Sequence, residues 1–223
     1  MRKIRWNKKA VFGLLLIFSP ALFLILISTR SCQHKFKRLD DFGTLTQYSF
    51  TDAKGKSHTA KEFEGELVII TCIQNSCPSD CGISLWKMDQ LIYQHIRKNN
   101  TKKMKHVRIL SFVTDGYGNP VKDISTIQEA LKDRVEGYDP NTWMVASGDA
   151  RKIYDITHNG QNLLQKGDKY YGGEAFQSLV LLADKENHLR MVLPGNQEGL
   201  IRRMKESIAL LQKQYDKDRA ANN

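Results

Sequence analysis

Residues 71–88 read TCIQNSCPSDCGISLWKM and hold three of the four cysteines of the chain. The stretch starts at the end of an apolar run, 67–71, and passes into a segment whose apolar residues recur at helical spacing. Three roles compete for cysteines at such a strand-to-helix turn: a metal site, a redox couple, or small apolar side chains in a core.

Outward from this stretch, the sequence predicts an alternation of strands and helices. Buried strands are predicted at 67–71, 106–113 and about 143–146, and β-hairpins at 46–58 and 178–193. Helices are predicted from about Pro78 through Ile96, around Ile124–Leu131, over 149–156 and from about 198. This order predicts an α/β domain with a central mixed sheet over residues 45–214, preceded by a linker at 29–44 and followed by a polar tail at 215–223.

The net charge of +10 is concentrated near the N-terminus. Nine basic residues flank one apolar run, and without them 25 Lys and Arg face 24 Asp and Glu. The nine are Arg2, Lys3, Arg5, Lys8, Lys9, Arg30, Lys35, Lys37 and Arg38. A nearly neutral remainder argues against a nucleic-acid-binding protein.

The apolar run AVFGLLLIFSPALFLILIS, residues 10–28, carries no charge. Nineteen helical residues span about 28 Å, close to the hydrocarbon thickness of a bilayer. A cleaved signal peptide has a shorter apolar region, and the Thr29-Arg30-Ser31-Cys32 sequence is a poor lipoprotein signal. We therefore expect an uncleaved transmembrane anchor at 10–28 rather than a cleaved or lipidated signal.

The orientation of this anchor follows from the short N-terminal stub. Positive charges flank both ends, and the N-terminal side is only slightly richer in them. Residues 1–9 are expected to stay in the cytosol. The protein is then a single-pass inner-membrane protein whose C-terminal domain faces the periplasm or the cell exterior, where thiols can form disulfides.

Cys77 and Cys81, in the sequence Cys77-Pro78-Ser79-Asp80-Cys81, are the candidate functional pair. Proline favours the first helical position, which makes Cys77 the residue before the helix and places Cys81 in its first turn. The positive end of a helix dipole lowers the pKa of a thiol. The pair can hold a soft ion such as Cu(I), or form a reversible disulfide if Cys77 lies outside the helix.

The other two cysteines are expected to have different roles. Cys72 ends the strand and is expected to pack in the core, while Cys32 follows the apolar run as an unpaired or lipid-modified thiol. Zinc is disfavoured because no second pair of Cys or His lies at a suitable spacing. Buried, inert thiols remain the alternative for Cys77 and Cys81.

Over about residues 45–212 the chain resembles the Sco/SenC family of membrane-anchored proteins. The motif Cys77–Cys81 resembles the family's CPxxCP, without its final proline, and residues 113–120 keep the outline of a DPxRDTP-like segment. Trp143 to Asp149 resembles a Trp-x-x-x-x-Gly-Asp stretch, and SLVLLADKEN the strand that ends in Leu-x-Asp. The resemblance implies a thioredoxin-like fold, copper bound through Cys77 and Cys81 with no organic cofactor, and a partner among respiratory oxidase subunits or other copper or thiol proteins.

One departure from the family concerns its third copper ligand. The family has a histidine before the late strand, and the equivalent position here is Phe176, followed by Gln177. Neither is a good Cu(I) ligand. The histidines lie elsewhere and are expected to be solvated or hydrogen-bonded; they are His34, His58, His95, His106, His158 and His188. We therefore expect copper delivery with a weak site, or thiol–disulfide maintenance, as the role of Cys77 and Cys81 in cytochrome c oxidase assembly.

Two other classes of protein remain open. A thioredoxin-like thiol–disulfide oxidoreductase of the cell envelope typically has CxxC and a cis-proline before the late strand, but the chain has CxxxC and no proline between Pro140 and Pro194. A non-catalytic adaptor that retains the fold is the third possibility. The sequence does not establish whether the protein is an enzyme.

Overall fold

The computed structural model describes residues 38–75, 85–99, 106–158, 161–162 and 176–221, together with positions 9, 13, 18–21 and 23–25. By its internal packing the chain divides into two units, residues 1–37 and 38–223. The fold described below is that of the second unit.

A seven-stranded mixed sheet forms the centre of the second unit. Its strands are β1 (Ser49–Asp52), β2 (Ser57–Thr59), β3 (Leu67–Gln74), β4 (Val107–Thr114), β5 (Trp143–Ser147), β8 (Leu179–Ala183) and β9 (Leu189–Pro194). Their order across the sheet is β2-β1-β5-β4-β3-β8-β9. Strands β3, β4 and β5 are parallel, and the neighbours on both sides are antiparallel to them. This arrangement confirms the predicted α/β domain with a central mixed sheet.

The helices complete the chain order. They are α1 (Leu85–Met88), a π-helical segment (Asp89–Tyr93), α2 (Gln94–Asn99), α3 (Ser125–Arg134), α4 (Arg151–Tyr154) and α5 (Glu198–Ala221). Short 3₁₀ turns are found at Ala60–Phe63 and Phe176–Ser178. A separate two-stranded ribbon pairs β6 (Thr157–His158) with β7 (Gln161–Asn162).

Strand β3 shows why the central strands form. Its residues LVIITCIQ are β-branched or apolar almost throughout, and the first seven are buried. Successive side chains point to opposite faces, so Val68, Ile70 and Cys72 join one core while Leu67 and Ile69 join the other. A strand apolar on both faces requires cover on both sides, as the sequence predicts.

The two faces of the sheet are covered by different elements. On one face the core is closed by the β1–β2 hairpin, the first 3₁₀ turn, α4 and Phe176. On the other face lie the apolar stripes of the remaining helices. For α5 this stripe is Ile201, Met204, Ile208 and Leu211.

Several boundaries differ from the sequence expectations. The helix predicted from the cysteine motif through Ile96 is interrupted by the π-helical segment, in which the amide of Gln94 donates to Asp89 O, five residues earlier. Helix α5 continues to Ala221, into the segment expected to be a polar tail, because Tyr215 still packs against the core. The β6–β7 ribbon was not predicted, since two-residue strands carry no periodicity.

The two edges of the parallel strands organise the molecule. The strands β3, β4 and β5 end at Gln74, Thr114 and Ser147, which form the carboxyl edge. Because β8 is antiparallel to β3, it starts at this edge and its hairpin with β9 turns at the opposite, amino edge. Among the described residues no helix combines the length and apolarity needed to cross a membrane, and of the predicted span 10–28 only positions 13, 18–21 and 23–25 are described.

Candidate functional site

Cys77 and Cys81 fall within residues 76–84, outside the part of the chain that the structure describes. Their pairing therefore stays a prediction, as does their role as copper ligands. The structure does describe both ends of this segment. Strand β3 ends at Gln74, opposite Thr114 of β4, and the amide of Asn75 donates to Thr114 O at 2.9 Å. The predicted dithiol segment thus leaves the carboxyl edge of the sheet and enters α1 at Leu85.

A tightly bonded turn follows β4 at the same edge. Asp115 Oδ1 accepts the amides of Tyr117 and Asn119, both at 2.8 Å, and Oδ2 accepts Asn119 Nδ2 at 2.9 Å. These bonds, with the Asn119 side chain first, hold the pKa of Asp115 below its usual value. Asp115 therefore supplies a fixed negative charge beside the end of β3.

Arg151, at the start of α4, forms hydrogen bonds with this turn. Its guanidinium donates to Asn119 Oδ1 at 3.2 Å and to Tyr117 O. The ring of Tyr117 nevertheless stays 83% exposed. The turn is thus held by its backbone and polar groups while its aromatic side chain projects into solvent.

Phe176 occupies the position at which the resemblance implies a histidine. It is buried, with its ring centroid 5.3 Å from that of Tyr154. On its other side lies Gly118, where an added Cβ would be 2.6 Å from Phe176 Cζ. Phe176 is therefore a packed core residue that offers no donor atom to a metal.

Gln177, the neighbouring residue, is also buried. Its Nε2 donates to Thr114 Oγ1 at 3.1 Å and to Asp115 O at 2.8 Å. The amide nitrogen therefore ties the start of β8 to the end of β4. Only the Oε1 atom of this side chain has the chemistry of a metal ligand, and an amide oxygen is a poor one for Cu(I).

The described histidines are occupied elsewhere, as the sequence predicts. His58 lies between Glu62 Oε2, 2.8 Å from Nδ1, and Asp52 Oδ2, 3.3 Å from Nε2. His188 Nδ1 lies 2.9 Å from Asp41 Oδ2 at the amino edge. His95 is half-buried in α2, with Nδ1 3.4 Å from Asn99 Nδ2, and His106 is exposed just before β4. His34 is outside the described residues, and the side chain of His158 is not described. Within the described ranges no group of three or more His, Cys, Asp or Glu is placed to hold a metal ion.

Cys72 is buried in the core, as expected, at 2% exposure. Burial raises the pKa of its thiol to about 12, so the thiol is protonated at neutral pH. It contacts the hydroxyl of Tyr154, which donates to Leu179 O at 2.9 Å. A protonated, enclosed thiol is neither a nucleophile nor a metal ligand, which confirms the packing role of Cys72.

Thr114 and Arg151 contribute to this edge and were not predicted from the sequence. Thr114 binds Gln177 and also accepts from Asn75 through its carbonyl. Arg151 holds the turn at Asn119. Both act across long sequence separations, so no local motif marks them; the only available signal was the position of Thr114 at the end of a buried strand.

A model of the SCO1/SenC family matches residues 38–211. A search of curated proteins found no significant match.

Among solved structures, one similar protein is from Aquifex aeolicus VF5 and is provisionally assigned to electron transfer. It has a TM-score of 0.53 at 14% identity, over 77% of this chain and 97% of that chain. BsSco, a member of the Sco family of cytochrome c oxidase assembly proteins, has a TM-score of 0.49 at 16% identity, covering 77% and 98%. Yeast Sco1 with copper bound has a TM-score of 0.48 at 18% identity, covering 75% and 89%. The Aquifex structure shows a shared fold.

Proposed function

The chain belongs to the SCO1/SenC family, and from this premise we propose that it acts in respiratory oxidase assembly through Cys77 and Cys81. The family match carries this proposal because it covers residues 38–211 of the second unit, and this range includes the dithiol segment. BsSco belongs to a family of cytochrome c oxidase assembly proteins, and yeast Sco1 has been solved with copper bound. We infer the same class of role, copper delivery or thiol maintenance, for this chain.

The proposed chemistry requires only the two thiols. As dithiolate, Cys77 and Cys81 would bind Cu(I) as cargo and release two protons. As a reductant, one thiolate would attack a partner disulfide, forming a mixed disulfide and releasing a partner thiolate. The second thiolate then attacks the first cysteine, so Cys77 and Cys81 end as a disulfide and the partner gains two electrons as a dithiol.

The described part of the carboxyl edge favours a weak copper site. Phe176 has no donor atom, and Gln177 Nε2 is already bonded to Thr114 and Asp115. Two thiolates without an imidazole would bind Cu(I) less tightly than a three-ligand site. Thiol maintenance of a partner's copper-site cysteines is therefore as well supported as copper carriage.

A Cu(I) competition titration of the full chain in detergent tests the proposal. Copper binding is expected to be lost in Cys77→Ser and in Cys81→Ser. Adding an imidazole in Phe176→His or Gln177→His is expected to tighten binding by about tenfold or more, where each tenfold equals about 1.4 kcal/mol. Phe176→Leu and Gln177→Asn are the matched controls, because they disturb the same packing without adding a nitrogen ligand.

Three results would contradict different parts of this proposal. If the parent binds as tightly as both histidine variants, with a third protein ligand in its X-ray absorption spectrum, the missing-ligand argument is wrong. If the parent binds no copper but oxidises or reduces a partner, the protein is a thiol–disulfide oxidoreductase rather than a copper carrier. If a Cys77→Ser, Cys81→Ser double variant still supports oxidase assembly, the adaptor alternative is correct.

The general envelope oxidoreductase is the second candidate, and the lack of a histidine at Phe176 favours it. One observation weakens it: the chain has CxxxC in place of CxxC and no proline between Pro140 and Pro194. Reduction of a small model disulfide by the full chain tests this candidate. Turnover that depends on Cys77 and Cys81 without any copper effect supports it.

We also propose the membrane topology that the sequence predicts, with residues 10–28 as a single span and the second unit outside the cytosol. The charge-flanked apolar run supports it. Reporter fusions at the C-terminus test it. A fusion active only in the cytosol would contradict both the topology and the redox environment that the dithiol requires.

A further inference from the structure

A groove of about 220 Å³ lies between helices α1 and α3. Its walls are mainly apolar and include Leu85, Trp86, Ile127, Ala130, Leu131 and Val135. Two charged side chains, Asp89 and Arg134, complete the lining. The groove begins next to the predicted dithiol segment, because Leu85 is the first described residue after it.

Trp86 lines this groove, yet 68% of its surface is exposed. Within the described part of residues 38–221, Trp86 and Tyr117 are the large hydrophobic side chains left exposed to this degree. Tryptophan and tyrosine are enriched among the residues that carry the binding energy of protein interfaces. An open tryptophan beside an apolar groove therefore points to a binding surface.

The two charged side chains of the groove differ in whether they can bind a ligand. The Asp89 carboxylate is buried and accepts Gln90 Nε2 at 2.7 Å and Gln94 Nε2 at 2.8 Å, so its charge is satisfied internally. Arg134 is exposed and makes no ion pair with any described residue. The groove thus combines an apolar surface with one available guanidinium, which suits a carboxylate.

The volume of the groove and the charges around it indicate which class of ligand it binds. Sites for small molecules enclose about 300–1,000 Å³, so this groove is better matched to one side chain of a protein segment. Binding to anionic lipid uses clusters of about four to eight basic residues. Here the exposed charges of α3 balance, with Glu129 and Asp133 against Lys132 and Arg134, and lipid is disfavoured.

We propose that this groove docks a partner protein through a segment that inserts one large apolar side chain against Trp86 and places a carboxylate on Arg134. The identity of the partner rests on the proposed function: it is the protein that exchanges copper or electrons with Cys77 and Cys81. Trp86 follows Cys81 by five residues, so the groove lies within about 18 Å of the dithiol even along an extended chain. Docking here would bring the partner's copper or thiol site to the dithiol.

Binding of defined peptides to the full chain in detergent micelles tests the groove itself. The probe is acetyl-Gly-Leu-Gly-Glu-Gly-amide, and its comparison peptide has Gln in place of Glu. Amide NMR shifts of Ala130, Leu131 and Val135 are followed in a titration to millimolar concentration. The Glu peptide is expected to bind about twofold to fivefold more tightly than the Gln peptide, the range of an exposed ion pair.

Variants of the chain separate the contributions. Arg134→Gln is expected to abolish the preference for the Glu peptide, while Lys132→Gln, an equal charge change on the same helix, is expected to retain it. Trp86→Ala is expected to weaken both peptides. The proposal is overturned if neither peptide shifts the groove amides, if Lys132→Gln acts like Arg134→Gln, or if phosphatidylserine vesicles rather than peptides perturb them.

A mixed-disulfide trap then connects the groove to the reaction. Cys77→Ser and Cys81→Ser variants are expressed in the native membrane, and the trapped partner is quantified with and without Arg134→Glu. Trapping is expected to fall at least threefold with Arg134→Glu and to persist with Lys132→Glu. Equal trapping in both overturns the docking proposal and leaves the proposed function intact. If the peptides bind but the cysteines show no copper or disulfide chemistry, the proposed function is overturned and binding at the groove stands.

Discussion

Each edge of the parallel strands has an arginine that donates to at least one backbone carbonyl, but the two arginines hold different segments of the chain. At the carboxyl edge Arg151 secures the turn after β4, and the neutral amide of Gln177 bonds the end of that strand. At the amino edge Arg190 donates to Leu39 O at 2.8 Å and Asp40 O at 3.0 Å. The amino edge therefore holds the segment by which the chain enters the domain.

The amino edge is also where a histidine is used. His188 lies against Asp41, and its Nε2 is 3.1 Å from Thr44 Oγ1. At the carboxyl edge, the position where the family has a histidine is filled by Phe176, which packs in the core. The comparison teaches that the charged groups Asp41, His188 and Arg190 hold the entry segment at the amino edge, whereas the proposed function at the carboxyl edge is predicted to depend on two cysteines.

The largest effect is expected at the ion pair of the amino edge. Arg190 Nη1 lies 3.0 Å from Asp184 Oδ2, with the two side chains 12% and 4% exposed. Arg190→Ala would leave the Asp184 carboxylate buried without its cation and release residues 39 and 40. We expect the free energy of unfolding, measured in urea, to fall by about 3–5 kcal/mol.

Arg202→Ala is the control for that change, because its pair with Glu198 is exposed at 64% and 48%. It is expected to cost no more than about 0.5 kcal/mol. Equal losses for the two variants would show that the amino edge is not a buried ionic clamp.

At the carboxyl edge the expected effect is a packing one, at Gly118. Its φ is +83°, and an added Cβ would meet the ring of Phe176 at 2.6 Å. Gly118→Ala is therefore expected to lower the free energy of unfolding by about 1–3 kcal/mol. Gly55→Ala, with φ +80° but no atom within 4 Å of the Cβ, measures the backbone contribution alone. If the two substitutions cost the same, Phe176 does not pack against the turn as described.

Cys72 gives a smaller effect that sharpens the assignment of the site. Cys72→Ala removes a buried sulfur and is expected to cost about 1–2 kcal/mol. Reversible oxidation, followed by thiol trapping of the full chain, is expected to continue as long as Cys77 and Cys81 are present. Loss of oxidation in Cys72→Ala but not in Cys81→Ala would show that the functional pair is assigned wrongly.

The parts of the fold that the sequence predicts are those with a local pattern. Strand β3 is a continuous apolar run, and helix α5 has a stripe at i, i+3 and i+4 spacing. The β8–β9 hairpin was found from its turn residues, where Asn187 adopts φ 61°. Each of these signals lies within a few residues, and each element is observed.

The contacts at the candidate site and at the entry segment were harder to predict, because they join residues that are far apart in the sequence. The bonds of Gln177 to Thr114 and of Arg190 to Leu39 join residues 63 and 151 positions apart, and nothing in either local sequence marks them. The π-helical turn at Asp89 depends on a buried amide network with Gln94 that periodicity does not reveal. The cysteine motif itself is readable from sequence, and its pairing stays a prediction.

The smallest expected effect is the pH dependence of the entry segment. The hydrogen bond to Asp41 raises the pKa of His188, and the same bond lowers the pKa of Asp41. Asp184 and Glu186 also favour the charged imidazole, and Arg190 lowers the pKa of Asp41. Since the folded pKa of His188 is raised, its contribution to the stability of the folded state is complete below the usual value of 6.5 and is lost as pH rises through the folded value. The pKa of Asp41 is lowered, so its contribution is lost as pH falls below 3.8. The segment should thus be held most firmly between about pH 4 and 6.5.

Hydrogen exchange of the amides of Phe42 and Leu45, which donate to Leu189 O and Asn187 O at 2.9 Å, measures this directly. After correction for intrinsic exchange, their protection is expected to fall about twofold to fivefold from pH 6 to pH 8.5, because the pair is only half-buried and solvent screens it. The change stays small because neutral His188 can still donate from Nδ1 to Asp41 while Nε2 accepts from the Thr44 hydroxyl. His188→Gln should abolish the pH dependence, and His106→Gln, at an exposed histidine, should leave it unchanged. Protection that is equally pH-dependent in His188→Gln would assign the titration to another group and remove the histidine from the distinction between the two edges.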